Sequence, residues 1–332
     1  MAEMTRRERI RCALAGKPVD RVPVAFWRHW PVDDQDAASL SRAALDYQRK
    51  FDWDFIKVPP SHTYCIDDYG AKHVYRGKPI GDREHLERVI KNVEDWDRIE
   101  PLDVRKGAYA RILECQKRIL EQKDPETPLV MTLFNPLAMA RYLAAGETYL
   151  IHLRHEPERV ERALKALTQT CADFARLAIA EGADGIFLST LAASYDAMSE
   201  DEYRRYGRPN DLAVLAAAKD GWFNILHLHG QHPMFRLVSD YPVQALNWHD
   251  RTAWPSLAEG LQIFQGAAVG GIEQFEVLHF GTPSAVQAQA LDAIQQTDGR
   301  RLILAGGCTY PLTVPEGNLH AVREAVELAS AK

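Results

Sequence analysis

The chain lacks paired cysteines, glycine-rich phosphate loops and long apolar runs, and each absence removes a class of function. Its five cysteines, Cys12, Cys65, Cys115, Cys171 and Cys308, are odd in number, widely spaced and free of any CxxC pair, so they build no disulfide framework. That usage fits a reducing compartment, and a cytoplasmic location is expected. Neither GxGxxG nor GxxxxGK followed by Ser or Thr occurs, which removes the usual dinucleotide and P-loop fingerprints. Basic charge is not in excess: 40 Lys and Arg stand against 46 Asp and Glu, a net charge of −6 with the cations scattered, and no nucleic-acid partner is expected. No window approaches the roughly 18 apolar residues of a membrane span. The segment Met4–Leu14 alternates arginines with apolar residues at helical spacing and reads as neither signal peptide nor anchor, so no membrane partner is expected. GxSxG, HExxH and paired-carboxylate spacings are missing as well.

What is present is an alternation. A hydrophobic share of 46% and a charged share of 26% fit a globular protein with a sizeable core. Thr5-Arg6-Arg7-Glu8 reads as a capping box opening a short helix. Eight short apolar runs follow: Arg21–Phe26, Asp54–Val58, Pro128–Phe134, Gly185–Leu188, Phe223–His227, Val243–Trp248, Ala267–Ile272 and Leu302–Ala305. Helical patterns separate them, the strongest being Pro157–Ala180, with Val160, Leu164, Leu167, Cys171, Phe174 and Leu177 on one face. Eight apolar strands alternating with helices predict an α/β fold, a (β/α)8 TIM barrel, as a single domain over residues 1–332. The segment 59–124, with Pro59-Pro60, Asp67-Asp68 and Gly70, is the least regular and is expected to make an excursion over the barrel mouth.

Catalytic groups of such a barrel sit past the carboxyl ends of its strands. Six of the 12 histidines, His29, His227, His229, His232, His249 and His279, fall there. His227 and His229 stand two apart, so both imidazoles share one face of a strand, as a pair of metal ligands or as polar rim residues. Cys308, in Ala-Gly-Gly-Cys-Thr-Tyr-Pro, reads either as an exposed thiolate ligand or as a small buried residue in a turn. Asn247-Trp248-His249-Asp250-Arg251 could bind a polar substrate, orient a ligand histidine, or form a hydrogen-bonded loop. Arg28, between Trp27 and Trp30, reads as an anion clamp with aromatic walls or as an arginine stacked for stability. Asn135 follows the third strand, and Glu273 and Glu276 the seventh.

The segments Pro18–Val24 (PVDRVPV), Tyr142–Gly146 (YLAAG), Gly182–Ile186 (GADGI) and Pro311–Ala321 together resemble the uroporphyrinogen decarboxylase superfamily, a family of single-domain barrels. In that resemblance the decarboxylases grip substrate carboxylates with an Arg-Gln-Ala-Gly-Arg segment; Arg28 matches its first arginine, while Val32 stands at the second. Their aspartate after strand two is replaced by Val58-Pro59-Pro60-Ser61, their Gly-His-Gly by Gly306-Gly307-Cys308, and their tyrosine is matched by Tyr142. The corrinoid-linked zinc methyltransferases of the superfamily carry His-x-Cys-Gly and a later Gly-Cys, which His227-Leu228-His229-Gly230 and Gly307-Cys308 resemble with one histidine for cysteine.

The resemblance therefore implies a zinc-dependent methyltransferase in which His227, His229 and Cys308 hold one zinc per chain, with Glu273, Glu276 or water in the fourth position. Arg28, Tyr142, His249 and Asp250 are the expected catalytic residues, and Trp27, Trp30, Asn135, Asn247 and Glu273 the expected substrate contacts. It also implies a corrinoid protein as partner beside a small-molecule substrate, and leaves room for a homodimer. Two other readings stay open: a decarboxylase whose carboxylated substrate is held by Arg28 and Tyr142, and a non-catalytic barrel that binds a tetrapyrrole or corrinoid.

Overall fold

Helix Arg6–Leu14 begins where the sequence places it. In the computed structural model, which describes residues 3–330, the Thr5 side chain caps the helix, and the Glu8 carboxylate accepts from Thr5 N at 2.9 Å. The strands that follow are β1 (Ile56–Val58), β2 (Lys72–Val74), β3 (Glu84–Glu87), β4 (Leu129–Phe134), β5 (Gly185–Thr190), β6 (Ile225–Leu228), β7 (Ala245–Trp248), β8 (Ala267–Ile272) and β9 (Leu302–Gly306). Seven of them form one parallel sheet in the order β1-β4-β5-β6-β7-β8-β9.

The extended segment 22–26 lies between the two edges of that sheet and closes it. Val24 bridges Leu304 in parallel fashion, Leu304 N donates to Pro23 O at 2.8 Å, and Asp54 N donates to Val24 O at 2.8 Å. Pro23 has no N–H to give, which is one reason this stave holds a bridge and not a full ladder. With it the count reaches eight, and the (β/α)8 barrel expected from the alternation is the fold observed. Every residue of β4, β5 and β8 is buried, as required when helices cover the outside and side chains fill the inside. Helix Pro157–Ala180 packs through Val160, Leu164, Leu167, Cys171 and Phe174. No helix of the described residues is long and apolar enough to cross a membrane.

Between β1 and β4 the chain makes a short helix, Tyr64–Asp67, then the antiparallel pair β2–β3, and returns by helix Gly107–Gln122. The pair is missing from the sequence reading for a physical reason. Its strands have three and four residues, all half-exposed or exposed, so no apolar alternation marks them. Its position matters, because Ile80, Asp82, His85 and Arg88 around it line the cavity at the barrel mouth.

Closure rests on a buried charge. Asp54 is fully buried; its carboxylate accepts from Arg9 at 2.7 Å, from Arg21 at 2.6 and 3.1 Å, and from Val24 N at 2.7 Å. It thus ties the first helix, the closing stave and β1 together. Removing one partner of a buried pair leaves the other uncompensated, typically at about 3–5 kcal/mol. Asp54→Ala is expected to lower unfolding stability by that amount in denaturant titration, and a loss under about 1 kcal/mol would contradict this account of closure.

Candidate active site

Neighbouring parallel strands place His227 of β6 directly beside Asn247 of β7. The Asn247 amide nitrogen donates to Val269 O at 2.7 Å and Gly306 O at 3.0 Å, so its oxygen must face the imidazole, where it accepts from His227 Nδ1 at 2.6 Å. That bond fixes the proton on Nδ1 and leaves the Nε2 lone pair free. Nε2 points at Cys308 Sγ, 3.6 Å away. His229, two residues on, presents Nδ1 at 3.9 Å from the same sulfur.

His249, in the loop after β7, completes a group of four. One donor atom from each of His227, His229, His249 and Cys308 lies within 4.8 Å of the others. Ligands of one tetrahedral zinc, with bonds of about 2.0–2.3 Å, stand roughly 3.3–3.8 Å apart, so the distance from Cys308 to His227 suits the ion and that to His229 lies just beyond the range. The donor set suits it too, and His249 Nε2 is buried with no hydrogen-bond partner. The Gln274 side-chain amide nitrogen lies 3.1 Å from His249 Nδ1, on the ring edge away from Nε2. Gly307 makes the approach of the two loops feasible, since a Cβ there would sit 2.8 Å from His249 Cα.

Electrostatics agree with a ligand role. Burial alone would raise the Cys308 thiol, but His227 and then His229 overcome it and hold its pKa well below 9.0. His229 is shifted the opposite way: burial would lower it, and the contact with Cys308 raises it overall. Burial brings His249 down to about 4, so its imidazole is neutral at pH 7.

These four residues line a cavity of about 640 Å³ at the strand ends. Arg28, Trp27 and Tyr142 line it as well. The Arg28 guanidinium lies 4.0 Å from the centre of the Trp30 ring and donates to Leu312 O at 3.3 Å. Trp30 is therefore the platform under Arg28 and does not itself line the cavity, a correction to its reading as a substrate contact.

Four further expectations are corrected by where the side chains point. Asp250 faces away from the cavity, and its Oδ1 accepts from Gly271 N at 2.9 Å in the space that Gly270 leaves open. Asn135 caps helix Pro136–Ala144 and donates to Asp211 at 2.8 Å, fully buried. Glu273 accepts from the backbone of Phe275, Glu276 and Val277 at the start of helix Val277–Phe280, so its carboxylate is occupied. Asn247 meets the imidazole and two carbonyls and has no face left for a substrate. Glu276 is exposed and lies outside the donor group, so the fourth donor is His249 and neither glutamate.

The sequence reading did not single out several residues of the cavity wall. Lys57, His62, Asp82, His85, Arg88 and Arg141 all line it. Lys57 left a signal, a lone cation inside an apolar barrel strand; the others come from irregular segments, the short β3 or a helix and left none. Arg28, Lys57, Arg88 and Arg141 face a single lining carboxylate, Asp82, among the described residues.

The family described as Uroporphyrinogen decarboxylase (URO-D) matches residues 5–328. The methylcobamide:CoM methyltransferase MtbA of Methanosarcina mazei is 25% identical over 98% of this chain and 98% of its own length. The methylcobamide:CoM methyltransferase MtaA of Methanosarcina barkeri is 23% identical over 97% of each. A solved methyltransferase from Methanosarcina mazei superposes with a TM-score of 0.87 at 22% identity, covering 98% of this chain and 99% of that one. A B12-independent methionine synthase from Shewanella sp. W3-18-1 superposes at 0.59 with 16% identity, covering 94% of each. The structures share the fold, and the curated names bear out the placement nearer the methyltransferases than the decarboxylases.

The depressed Cys308 pKa gives a direct test on metal-free protein. Thiolate is the reacting form, so iodoacetamide at pH 7 is expected to modify Cys308 ahead of Cys65, Cys115 and Cys171, whose thiols burial pushes up. The Cys308 rate should fall only as the solution is made acid, and His227→Ala should move that fall toward higher pH. Equal labelling of all five cysteines by peptide mass spectrometry would contradict the thiolate assignment.

Proposed function

Since the chain belongs to the uroporphyrinogen decarboxylase family, we propose that it is a methyltransferase that takes its methyl group from a corrinoid on a partner protein, with zinc held by His227, His229, Cys308 and His249. The observation that carries this reading is the convergence of three imidazoles and one thiolate at the mouth of a large cavity, in a chain whose curated relatives are named methylcobamide:CoM methyltransferases. Zinc bound there would lower the pKa of an incoming thiol or hydroxyl and so favour the anion that attacks a methyl group.

The protein's own residues account for the rest. Asn247 holds His227 in one tautomer and one direction, and Gln274 packs its amide nitrogen against the Nδ1 edge of His249. One thiolate among three neutral imidazoles gives a more positive site than two thiolates would, which favours Lewis acidity over sulfur nucleophilicity and admits an oxygen acceptor beside a thiol. Arg28, Arg88 and Arg141 supply positive potential that draws an anionic acceptor into the cavity. Trp27, Phe134, Phe187 and Phe275 give it apolar walls. The opening at the strand ends, roofed in part by the β2–β3 pair, is where the corrinoid-bearing partner presents its methyl group.

Elemental analysis of purified protein is expected to show zinc near one per chain, lost in Cys308→Ala and His227→Ala. Asn247→Leu should keep all the ligands yet weaken zinc binding by about 10–100-fold, since it removes only the orienting partner. Methyl transfer from free methylcobalamin to a thiol should follow zinc content across these variants. Protein that is folded and active with no zinc would sink the metal assignment.

A further inference from the structure

Resting on the methyltransferase reading above, we propose that Lys57 is the general base of the transfer, its amine taking the proton that the methyl acceptor loses. The position is unusual for a lysine. It stands in β1, a barrel strand of three residues, and its side chain enters the same cavity as Cys308 and His227. Nζ lies over two aromatic faces, 4.6 Å from the centre of Phe187 and 5.7 Å from that of Trp27. Phe187 in turn stacks on His227 with ring centres 5.5 Å apart, so one ring bridges the amine and the donor group.

No carboxylate answers this ammonium. Asp82, the one carboxylate lining the cavity among the described residues, stands between His29 and His62 at 3.6 Å from a nitrogen of each. Of the titratable groups around Lys57, the Cys308 thiolate favours its charged form and His29 is disfavoured by it. Burial outweighs the thiolate and brings the amine down to about 7, so both the free base and the ammonium exist at neutral pH. A zinc ion held by the neighbouring donor group would act in the same direction.

The reaction supplies such a base with a task. When the acceptor X–H, with X sulfur or oxygen, is methylated, a bond forms between X and the methyl carbon. The X–H bond breaks and its proton goes to Lys57 Nζ, while the electron pair of the broken methyl bond stays with the corrinoid donor. Arg28, Arg88 and Arg141 cannot take this proton, because a guanidinium stays protonated at any working pH. They remain available to hold an anionic acceptor, which separates the holding of charge from the removal of the proton.

Two measurements on the full chain test this. Competitive acetylation of lysines with acetic anhydride across pH, read by peptide mass spectrometry, should give Lys57 a midpoint near 7 against about 10.4 for ordinary lysines. With methylcobalamin as donor and 2-mercaptoethanol as acceptor, Lys57→Gln and Lys57→Arg should both lose about 100-fold in kcat at pH 7 with KM and zinc content little changed. An ordinary midpoint for Lys57 overturns the proposal. So does a Lys57→Arg protein with wild-type kcat, or one in which only KM rises, since either would make the residue a holder of negative charge. Absence of transfer by the zinc-loaded wild-type chain, by contrast, overturns the methyltransferase reading and the base role with it.

Discussion

One side-chain amide organises the centre of this protein. Asn247 has three hydrogen bonds to make and finds a partner on each of three other strands: an imidazole on β6, a carbonyl on β8 and a carbonyl on β9. The two carbonyls decide which way the amide lies, the amide decides which nitrogen of His227 carries the proton, and that decides where the lone pair points. The direction in which His227 presents Nε2 to Cys308, and with it the convergence of the donors, follows from that chain of fixed choices. A buried amide with an unmet partner would cost about 1–3 kcal/mol, so the orientation is enforced by the fold itself.

The barrel was readable because its physics is repetitive. Eight apolar runs between helical patterns leave few alternatives, and even the closing stave was marked by Val22, Val24 and Phe26 despite Pro23. The two histidines of β6 and the thiol after Gly307 were readable for a related reason, since strand periodicity and glycine turns are local properties. What could not be read was direction. Asp250, Asn135 and Glu273 follow strand ends as cavity residues do, yet each is consumed by backbone amides or a buried neighbour whose identity depends on packing between distant segments. His249 was expected as a catalytic residue and not as a metal ligand, and its place among the donors depends on the approach of two loops 59 residues apart, at positions 249 and 308.

Charge is distributed by the same logic. Outside the cavity most arginines meet carboxylates, as in the cluster of Arg6, Arg323 and Asp52 or the buried triad of Arg9, Arg21 and Asp54. Inside it three arginines and Lys57 share one carboxylate, and that carboxylate stands between two imidazoles. Folding leaves this imbalance uncorrected at the one place where a visiting anion could correct it. A cavity so built carries unmatched positive charge, which separates it from the rest of the chain's surface.

The order in which the donors occur along the chain has a consequence for how the centre comes into being. His227, His229 and His249 lie within one stretch of the sequence, whereas Cys308 follows β9, the strand that receives the closing stave. Until that stave meets β9 the sulfur has no fixed place, so the three imidazoles alone can offer a metal only a loose, neutral grip. The thiolate arrives with closure, and with it the only negative charge among the donors. An ion held by all four donors would span 81 residues of chain and act as a latch on the finished barrel.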